Sequence, residues 1–237
     1  MERQIIITED GSHTVSIPEW GVTYHSVYGA VRESQHVFIE AGLRQFRSPG
    51  YSTLKVFEMG LGTGLNALLA LAEAEKTKQS IYYEAVELFP LSVEEINSLN
   101  YCRILHRVDL QKTFELLHSC DWQKEIAIHP NFIFKKLKSD LLHLPPTEFP
   151  KSETFEIIFF DAFDPNIQPE LWTKEIFDKM FSVLRPGGIL VTYSSRAQVR
   201  RAMQAAGFRV EKIPGPPRKR EIVRAEKLKQ RADQADQ

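Results

Sequence analysis

The stretch Leu54-Lys-Val-Phe-Glu-Met-Gly-Leu-Gly-Thr-Gly-Leu-Asn-Ala-Leu-Leu-Ala-Leu71 constrains the fold more than any other part of the chain. A short apolar run from Leu54 to Phe57 reads as a buried strand, and the segment from Leu65 to Ala74 reads as a helix. Between them stand Glu58 and three glycines, Gly60, Gly62 and Gly64. Glycine reaches positive φ without steric cost and lets a ligand approach the backbone, and the following helix start offers unpaired N–H groups. Strand, glycine loop and helix in that order form a ligand cradle at the carboxyl edge of a parallel sheet. The spacing is not that of the dinucleotide fingerprint, which counted from Gly60 needs Gly or Ala where this chain has Leu65. From spacing alone, a nucleotide site and a purely structural glycine turn both stay open.

A chain of 237 residues is most naturally one domain with a substantial core. Its 43% hydrophobic and 26% charged residues are ordinary for a soluble globular protein. No apolar run approaches membrane-spanning length, and the start Met1-Glu-Arg-Gln-Ile5 lacks a signal-peptide pattern. Cys102 and Cys120 form no metal or redox motif, and the seven histidines lack metal-ligand spacing. The expectation is therefore a cytoplasmic protein without a membrane segment or a metal. The net charge of −1 conceals a polarity: Arg196 to Arg231 holds 12 Lys/Arg against 3 Asp/Glu, a net +9, so the remainder carries −10. Such asymmetry suggests a basic face for an anionic partner, nucleic acid first; for residues 227–231 alone a solvated helix is the simpler reading.

Taken in order, residues 4–8 and 14–17 flank Glu9-Asp-Gly-Ser-His13 and predict a hairpin covering an edge of the main sheet. The aromatic, hydroxyl-rich segment from Tyr24 to Ser34 leads into a helix over about residues 34–46, and Ser48-Pro-Gly50 marks the join to the main domain. Residues 81–87 form a second strand ending at Glu87, where an acid can accept both ribose hydroxyls of a nucleoside. Helices follow over 91–99 and 110–118, then a hairpin, 126–128 and 132–137, ending near Asp140. Phe155-Glu-Ile-Ile-Phe-Phe160 is the near-continuous apolar run of a central strand buried on both faces. A carboxylate immediately after it, Asp161, must be hydrated, paired or used; helix capping is the bland alternative. A helix over 169–183, a tight turn at Arg185-Pro-Gly-Gly188, a strand over 189–193 and a helix over 196–206 come next. Two strands, 208–213 and 221–225, joined by Pro214-Gly-Pro-Pro-Arg-Lys-Arg220, complete the pattern.

Several of these stretches point to one family. The run from Glu58 to Asn66 resembles motif I of class I S-adenosylmethionine (SAM) methyltransferases. Tyr24-His-Ser-Val-Tyr-Gly-Ala-Val-Arg-Glu-Ser34, that glycine run, Phe160-Asp-Ala-Phe-Asp-Pro165 with Pro169-Glu-Leu-Trp-Thr173, and Arg218-Lys-Arg-Glu221 occur in order. Together they resemble the SAM-dependent methyltransferase module of the tRNA 5-methylaminomethyl-2-thiouridine biosynthesis enzyme, over roughly residues 20–225. The glycine loop is shared by many methyltransferases; the other stretches are more specific.

The resemblance implies an α/β, class I SAM-methyltransferase (Rossmann-like) fold, a mostly parallel sheet with an antiparallel last strand and an N-terminal β/α extension. It divides the chain into an extension or lid over the cofactor (1–50), the methyltransferase domain (51–226) and a flexible or helical tail (227–237). It implies methyl transfer from SAM to the primary amine of 5-aminomethyl(-2-thio)uridine at the tRNA wobble position, with Asp161 catalytic. Glu58, Gly60, Gly62, Gly64, Asn66, Glu87, Asp140 (at the adenine amino group), Tyr24 and Tyr28 fall on the cofactor side. Phe163, Arg200, Arg218, Lys219 and Arg220 fall on the tRNA side. Relatives often carry a second, flavin-dependent oxidase half that exposes the amine; this chain reads as the stand-alone form, dependent on a separate enzyme. A small-molecule amine methyltransferase would share the fold and Asp161 but gain nothing from the basic segment. Leu65 disfavours a nicotinamide oxidoreductase, and an RNA-binding module leaves Asp161 beside a glycine loop unexplained.

Overall fold

The computed structural model describes residues 2–45, 53–144 and 150–229. A three-stranded antiparallel sheet, β1 (Gln4–Ile7), β2 (His13–Ile17) and β3 (Val22–Thr23), leads into helix α1 (Ala30–Ser34) and a π-helical continuation, Gln35–Leu43. The main body begins with β4 (Thr53–Met59), α2 (Leu65–Thr77) and β5 (Ser80–Glu87). It continues through α3 (Val93–Asn97), α4 (Tyr101–Ile104) and α5 (Gln111–Ser119) to the hairpin β6 (Ile126–His129) and β7 (Phe132–Lys138). It closes with β8 (Phe155–Phe160), α6 (Lys174–Val183), β9 (Leu184–Thr192), α7 (Ala197–Ala205), β10 (Arg209–Pro214) and β11 (Glu221–Glu226).

The strands of the main body form one eight-stranded sheet in the order β10-β11-β9-β8-β4-β5-β7-β6. The β7-β5-β4-β8-β9 run is parallel, whereas β11 is antiparallel to both β9 and β10, and β6 to β7. This is the expected class I methyltransferase architecture. Every residue of β8 is buried: Ile157 and Phe159 pack into the core on one face, Phe155, Ile158 and Phe160 into the core on the other. Helix α2 belongs to the first layer and α6 to the second, so the sheet is sandwiched, as a strand apolar on both faces requires. The chain runs outward from β4 through β5 to β7, then returns to place β8 on β4's other side. That reversal opens a crevice at the carboxyl end of β4.

Four sequence expectations are corrected. The N-terminal hairpin covers no edge of the main sheet; it gains β3 and stands as its own sheet, tied to the segment beyond β5. Arg3 donates to the carbonyls of Phe89 (2.7 Å) and Pro90 (3.1 Å), and Asn100 Oδ1 accepts from the N–H of His13 (2.9 Å). The helix anticipated from residue 34 starts at Ala30, because the hairpin tip supplies its cap. Asp10 accepts from the N–H groups of Ser12 (3.0 Å) and Arg32 (2.9 Å), and only a glycine at position 29 leaves it room. Its anticipated end at Phe46, the Ser48-Pro-Gly50 join and the tail from residue 230 lie outside the described residues.

The Arg185-Pro-Gly-Gly188 turn is instead part of β9. The Gly187 N–H donates to the Lys227 carbonyl (2.6 Å) and the Lys227 N–H to the Gly188 carbonyl (3.0 Å), so backbone beyond β11 pairs with the segment, which keeps a positive φ at Gly187 (+82°) and a register shift against β8. The helix expected over 169–183 is split at Thr173, whose extended backbone separates a 3-10 turn, Pro169–Trp172, from α6. Among the described residues no helix is long and apolar enough to cross a membrane.

Phe159 lies between the rings of Phe38 (5.2 Å between centroids) and Tyr83 (6.1 Å) and is fully buried. Phe159→Ala is expected to cost about 3–5 kcal/mol in chemical denaturation. Ile133→Ala, on an exposed position of β7, should stay within about 0.5 kcal/mol. Equal losses in the two variants would contradict the two-sided core.

Candidate active site

The carboxyl ends of β4, β5, β7, β8 and β9 deliver Gly60, Glu87, Asp140, Asp161 and Tyr193 to the wall of one cavity of about 800 Å³. The N-terminal sheet and the turn after it, including Trp20, Tyr24 and His25, form the opposite wall. The size falls within the usual range of ligand sites.

The glycine loop has the geometry its composition demands. Gly60, Gly62 and Gly64 all have positive φ, +91°, +51° and +73°. A Cβ on Gly60 would sit 2.8 Å from the backbone oxygen of Asp161, so this glycine lets the ends of β4 and β8 close together. A Cβ on Gly62 would press on the Tyr24 ring at 3.3 Å, and one on Gly64 would stand 2.7 Å from His118 Nε2. Sequence reasoning assigned these glycines to close ligand approach; the contacts here are with protein. Glu87 also does more than end a strand. Its two carboxylate oxygens accept from the N–H groups of Gly62 (2.8 Å) and Phe89 (2.7 Å), which fixes the loop against β5 while the group still faces the cavity. Asp140 lines the cavity too, and its Oδ1 accepts from the Leu142 N–H (2.9 Å) in the local turn.

Beneath the loop, the Asn66 amide joins two acids: Nδ2 donates to Glu58 Oε1 (2.9 Å) and to Asp161 Oδ2 (2.9 Å). Glu58 is fully buried and is not among the residues that line the cavity; its link to the cavity wall is the Asn66 amide. Burial first, then the adjacent charge of Asp161, pushes the Glu58 carboxyl well above the ordinary range. Asp161 itself is pushed up to about 7, chiefly by burial and then by the charge of Glu33, against the Asn66 hydrogen bond and Lys219. A carboxyl poised there exchanges a proton near neutral pH.

Phe163 is at the cavity, edge-on to Tyr24 (5.0 Å between centroids) and Trp20 (5.9 Å). Tyr28 is not: it lies on the surface beneath the Arg218 guanidinium, 4.9 Å from its ring centroid. The basic residues divide. Arg218 is exposed and pairs with Glu9 (3.6 Å). Lys219 turns inward, lines the cavity and pairs with Glu33 Oε1 (2.6 Å). Arg220 is exposed, and Arg200 donates to the Ser195 carbonyl (3.2 Å).

Glu33, Tyr193 and His25 were missed as site residues. Tyr193 obeys the same carboxyl-end rule that found Asp161, and its hydroxyl donates to the Ala162 carbonyl (2.9 Å). Glu33 carried a signal only as an acid inside the aromatic 24–34 segment. Among the described residues no cluster of three or more His, Cys, Asp or Glu could hold a metal ion.

Comparison with known proteins agrees with this geometry. Residues 122–228 match the model of a family described as S-adenosyl-L-methionine-dependent methyltransferase. The tRNA 5-methylaminomethyl-2-thiouridine biosynthesis bifunctional protein MnmC of Actinobacillus pleuropneumoniae serotype 5b is 27% identical over 225 residues, 87% of this chain and 32% of the relative. MnmC of Idiomarina loihiensis is 30% identical over 210 residues, 84% of this chain and 34% of the relative. The chain thus spans about a third of the length of these curated relatives. The crystal structure of MnmC2 from Aquifex aeolicus superimposes with a TM-score of 0.75 at 24% identity, covering 97% of this chain and 72% of that one. Spermidine synthase from Thermotoga maritima shares the fold more distantly, with a TM-score of 0.55 at 14% identity, covering 94% of this chain and 68% of that one. The resemblance drawn from the motifs and the fold it implied are both borne out.

His25, buried between Thr14 Oγ1 (3.0 Å) and Thr63 Oγ1 (3.5 Å), is driven by burial down to about 4 from an ordinary 6.5. A histidine kept neutral by the fold contributes stability that is present above about 6.5 and lost as pH falls towards 4. His25→Gln cannot titrate, so its stability deficit against wild type should narrow steadily across that window in urea unfolding. A deficit constant from pH 7 to 4 would exclude this role.

Proposed function

We propose that this chain is a SAM-dependent methyltransferase that methylates the primary amine of 5-aminomethyl(-2-thio)uridine at the tRNA wobble position. The observation that carries this reading is Asp161, held by the Asn66 amide at the carboxyl end of the central strand, on the cavity wall beside the glycine loop. The similarity to the methyltransferase third of MnmC supports the substrate. No observation favours a small-molecule amine acceptor. In this reading residues 2–45 form a cover over the cofactor, and the protein works in the cytoplasm on tRNA whose aminomethyl group a separate enzyme supplies.

The cavity suits SAM by its chemistry. Its cradle is built on three glycines at positive φ, a backbone conformation that other residues rarely adopt, with a carboxylate, Glu87, at the second strand. The Gly60–Gly64 loop and Asn66 would hold the amino-acid portion, Glu87 the ribose hydroxyls, and Asp140 the adenine, with Tyr24 closing over the loop. Bound SAM supplies an electrophilic methyl on a sulfonium. What the protein must do is align the amine and manage its proton. Asp161 holds the amine, and its carboxylate stabilises the positive charge that grows on nitrogen as the C–N bond forms. An ordinary carboxylate would favour the ammonium, which cannot attack, and would take a proton only weakly. Raised to about 7, Asp161 is a competent acceptor for that proton. Phe163 and Trp20 offer ring surfaces for an extruded uracil, as enzymes acting on a single base require.

The direct test is transfer of labelled methyl from SAM to tRNA carrying aminomethyluridine, with unmodified tRNA as control. Asp161→Asn preserves size and one oxygen, so SAM affinity should hold while kcat falls by about two to three orders of magnitude, roughly 2.7–4 kcal/mol. Near-normal kcat in this variant would remove Asp161 from the mechanism.

The tRNA phosphates fall to the exposed cations. Arg201 and Arg220 are exposed and form no ion pair among the described residues, unlike Arg218 and Lys219. Removing both charges should raise the tRNA KM and reduce the salt slope of binding by about one per residue, leaving SAM affinity unchanged. An unaltered salt slope would place the tRNA on another face.

A further inference from the structure

We propose that the Glu33–Lys219 ion pair is a positioning device that sets the charge state of Asp161, and so the pH range in which the acceptor amine is relieved of its proton. The inference rests on the role given to Asp161 above and adds two residues that no motif assigned to the chemistry.

The pair joins the two ends of the chain at the cavity wall. Glu33 comes from α1 and Lys219 from the connection between β10 and β11, 186 residues apart, with Nζ 2.6 Å from Oε1. Neither group is free to drift. The second oxygen of Glu33 accepts from the Ser26 N–H (2.7 Å), and Lys219 Nζ lies 4.6 Å from the centroid of the Tyr193 ring. Tyr193 in turn is fastened by its hydroxyl to the carbonyl of Ala162, the residue after Asp161 (2.9 Å). The ammonium is therefore held on a ring anchored to the backbone that carries Asp161.

Asp161 meets titratable or polar groups from every element around it. Glu58 on β4 and Tyr83 on β5 lie beneath, with the Asn66 amide from α2 between Glu58 and Asp161. Tyr193 stands beyond the end of β9, Glu33 on α1, and Lys219 on the β10–β11 connection. Asp164 lines the same cavity and is paired with Arg196 (3.0 Å). Burial raises the tyrosine hydroxyls and the Glu58 carboxyl, and the two charges that act on Asp161 are one anion, Glu33, and one cation, Lys219. Opposite charges at fixed positions act oppositely on a carboxyl. A surface ion pair between two long side chains contributes little stability by itself. Here one member is buried and both line the cavity, which gives the pairing a consequence for the site that a surface pair lacks.

The test uses the full chain and two variants, Glu33→Gln and Lys219→Met, the latter keeping the aliphatic stem over Tyr193. The Asp161 titration is followed by NMR of the side-chain carboxyl carbon without ligand, and the pH profile of methyl transfer is measured in parallel. Glu33→Gln should move the Asp161 midpoint down and Lys219→Met should move it up, each by about one unit or less. The acid limb of the kcat profile should follow in the same directions. Midpoints that do not move, or that move together, overturn the proposal; a purely structural pair would lower both melting temperatures without opposite shifts. Opposite NMR shifts with an unmoved rate profile overturn the catalytic half and locate the failure in the role given to Asp161.

Discussion

One amide holds the site together. Asn66, on the first turn of α2, donates to a carboxyl from β4 and to another from the end of β8, so the helix is registered against both strands it follows and faces. Two carboxyls this close and this buried cannot both be charged without a large desolvation and repulsion cost. Burial pushes the Glu58 carboxyl well up towards its neutral form, and of the two only Asp161 reaches the cavity. The glycine loop is then dictated. Gly60 must lack a side chain for the Asp161 backbone to approach, and Glu87 pins Gly62 from the other side. The glycine loop and the Asp161 carboxyl are parts of one packed unit.

The N-terminal segment completes that unit. Asp10 shapes the first hairpin and caps α1 with the same carboxyl, which aims the helix bearing Glu33 at the cavity. Arg3 and Asn100 fasten the small sheet to the segment beyond β5, which stands over the cofactor side of the cavity. On the acceptor side, the pairs from the β10–β11 connection to Glu9 and Glu33 fasten the same extension to the other end of the chain. In the reading proposed above, this extension is a cover fastened at both flanks, and burial is the chief cause that raises Asp161.

What the sequence disclosed, and what it withheld, follows from the range of the interactions. The place of Asp161 on the cavity wall was legible because β8 is apolar on both faces and stops at a charge; that of Glu87 was legible as an acid ending the second strand. Both inferences need only local pattern and the rule that ligands meet the carboxyl edge. Tyr24 and Tyr28 lie in one segment with similar neighbours, yet only Tyr24 faces the cavity, because the choice depends on where α1 begins and hence on Asp10. Arg185-Pro-Gly-Gly188 has every local mark of a turn and is strand, because backbone beyond β11 supplies its partners. Glu58 followed the motif but its depth did not: a residue at the end of a strand reads alike whether it points into the crevice or behind it.

The basic segment shows the same limit in electrostatic form. Its net +9 was legible, but a sum of charges says nothing about their partners. Arg196, Arg218 and Lys219 draw Asp164, Glu9 and Glu33 from the rest of the chain. Arg209, Lys212 and Arg224 pair within the segment, with Glu226, Glu221 and Glu211. A cation already paired releases fewer counterions on meeting a phosphate and must first give up its partner. The face open to a polyanion is therefore smaller than the composition implies, and among the described residues its exposed cations in no ion pair are Arg201, Arg220 and Lys229. One paired cation serves the interior instead. By drawing Lys219 to the cavity wall, the segment that promised a nucleic-acid surface becomes part of the electrostatic environment of Asp161.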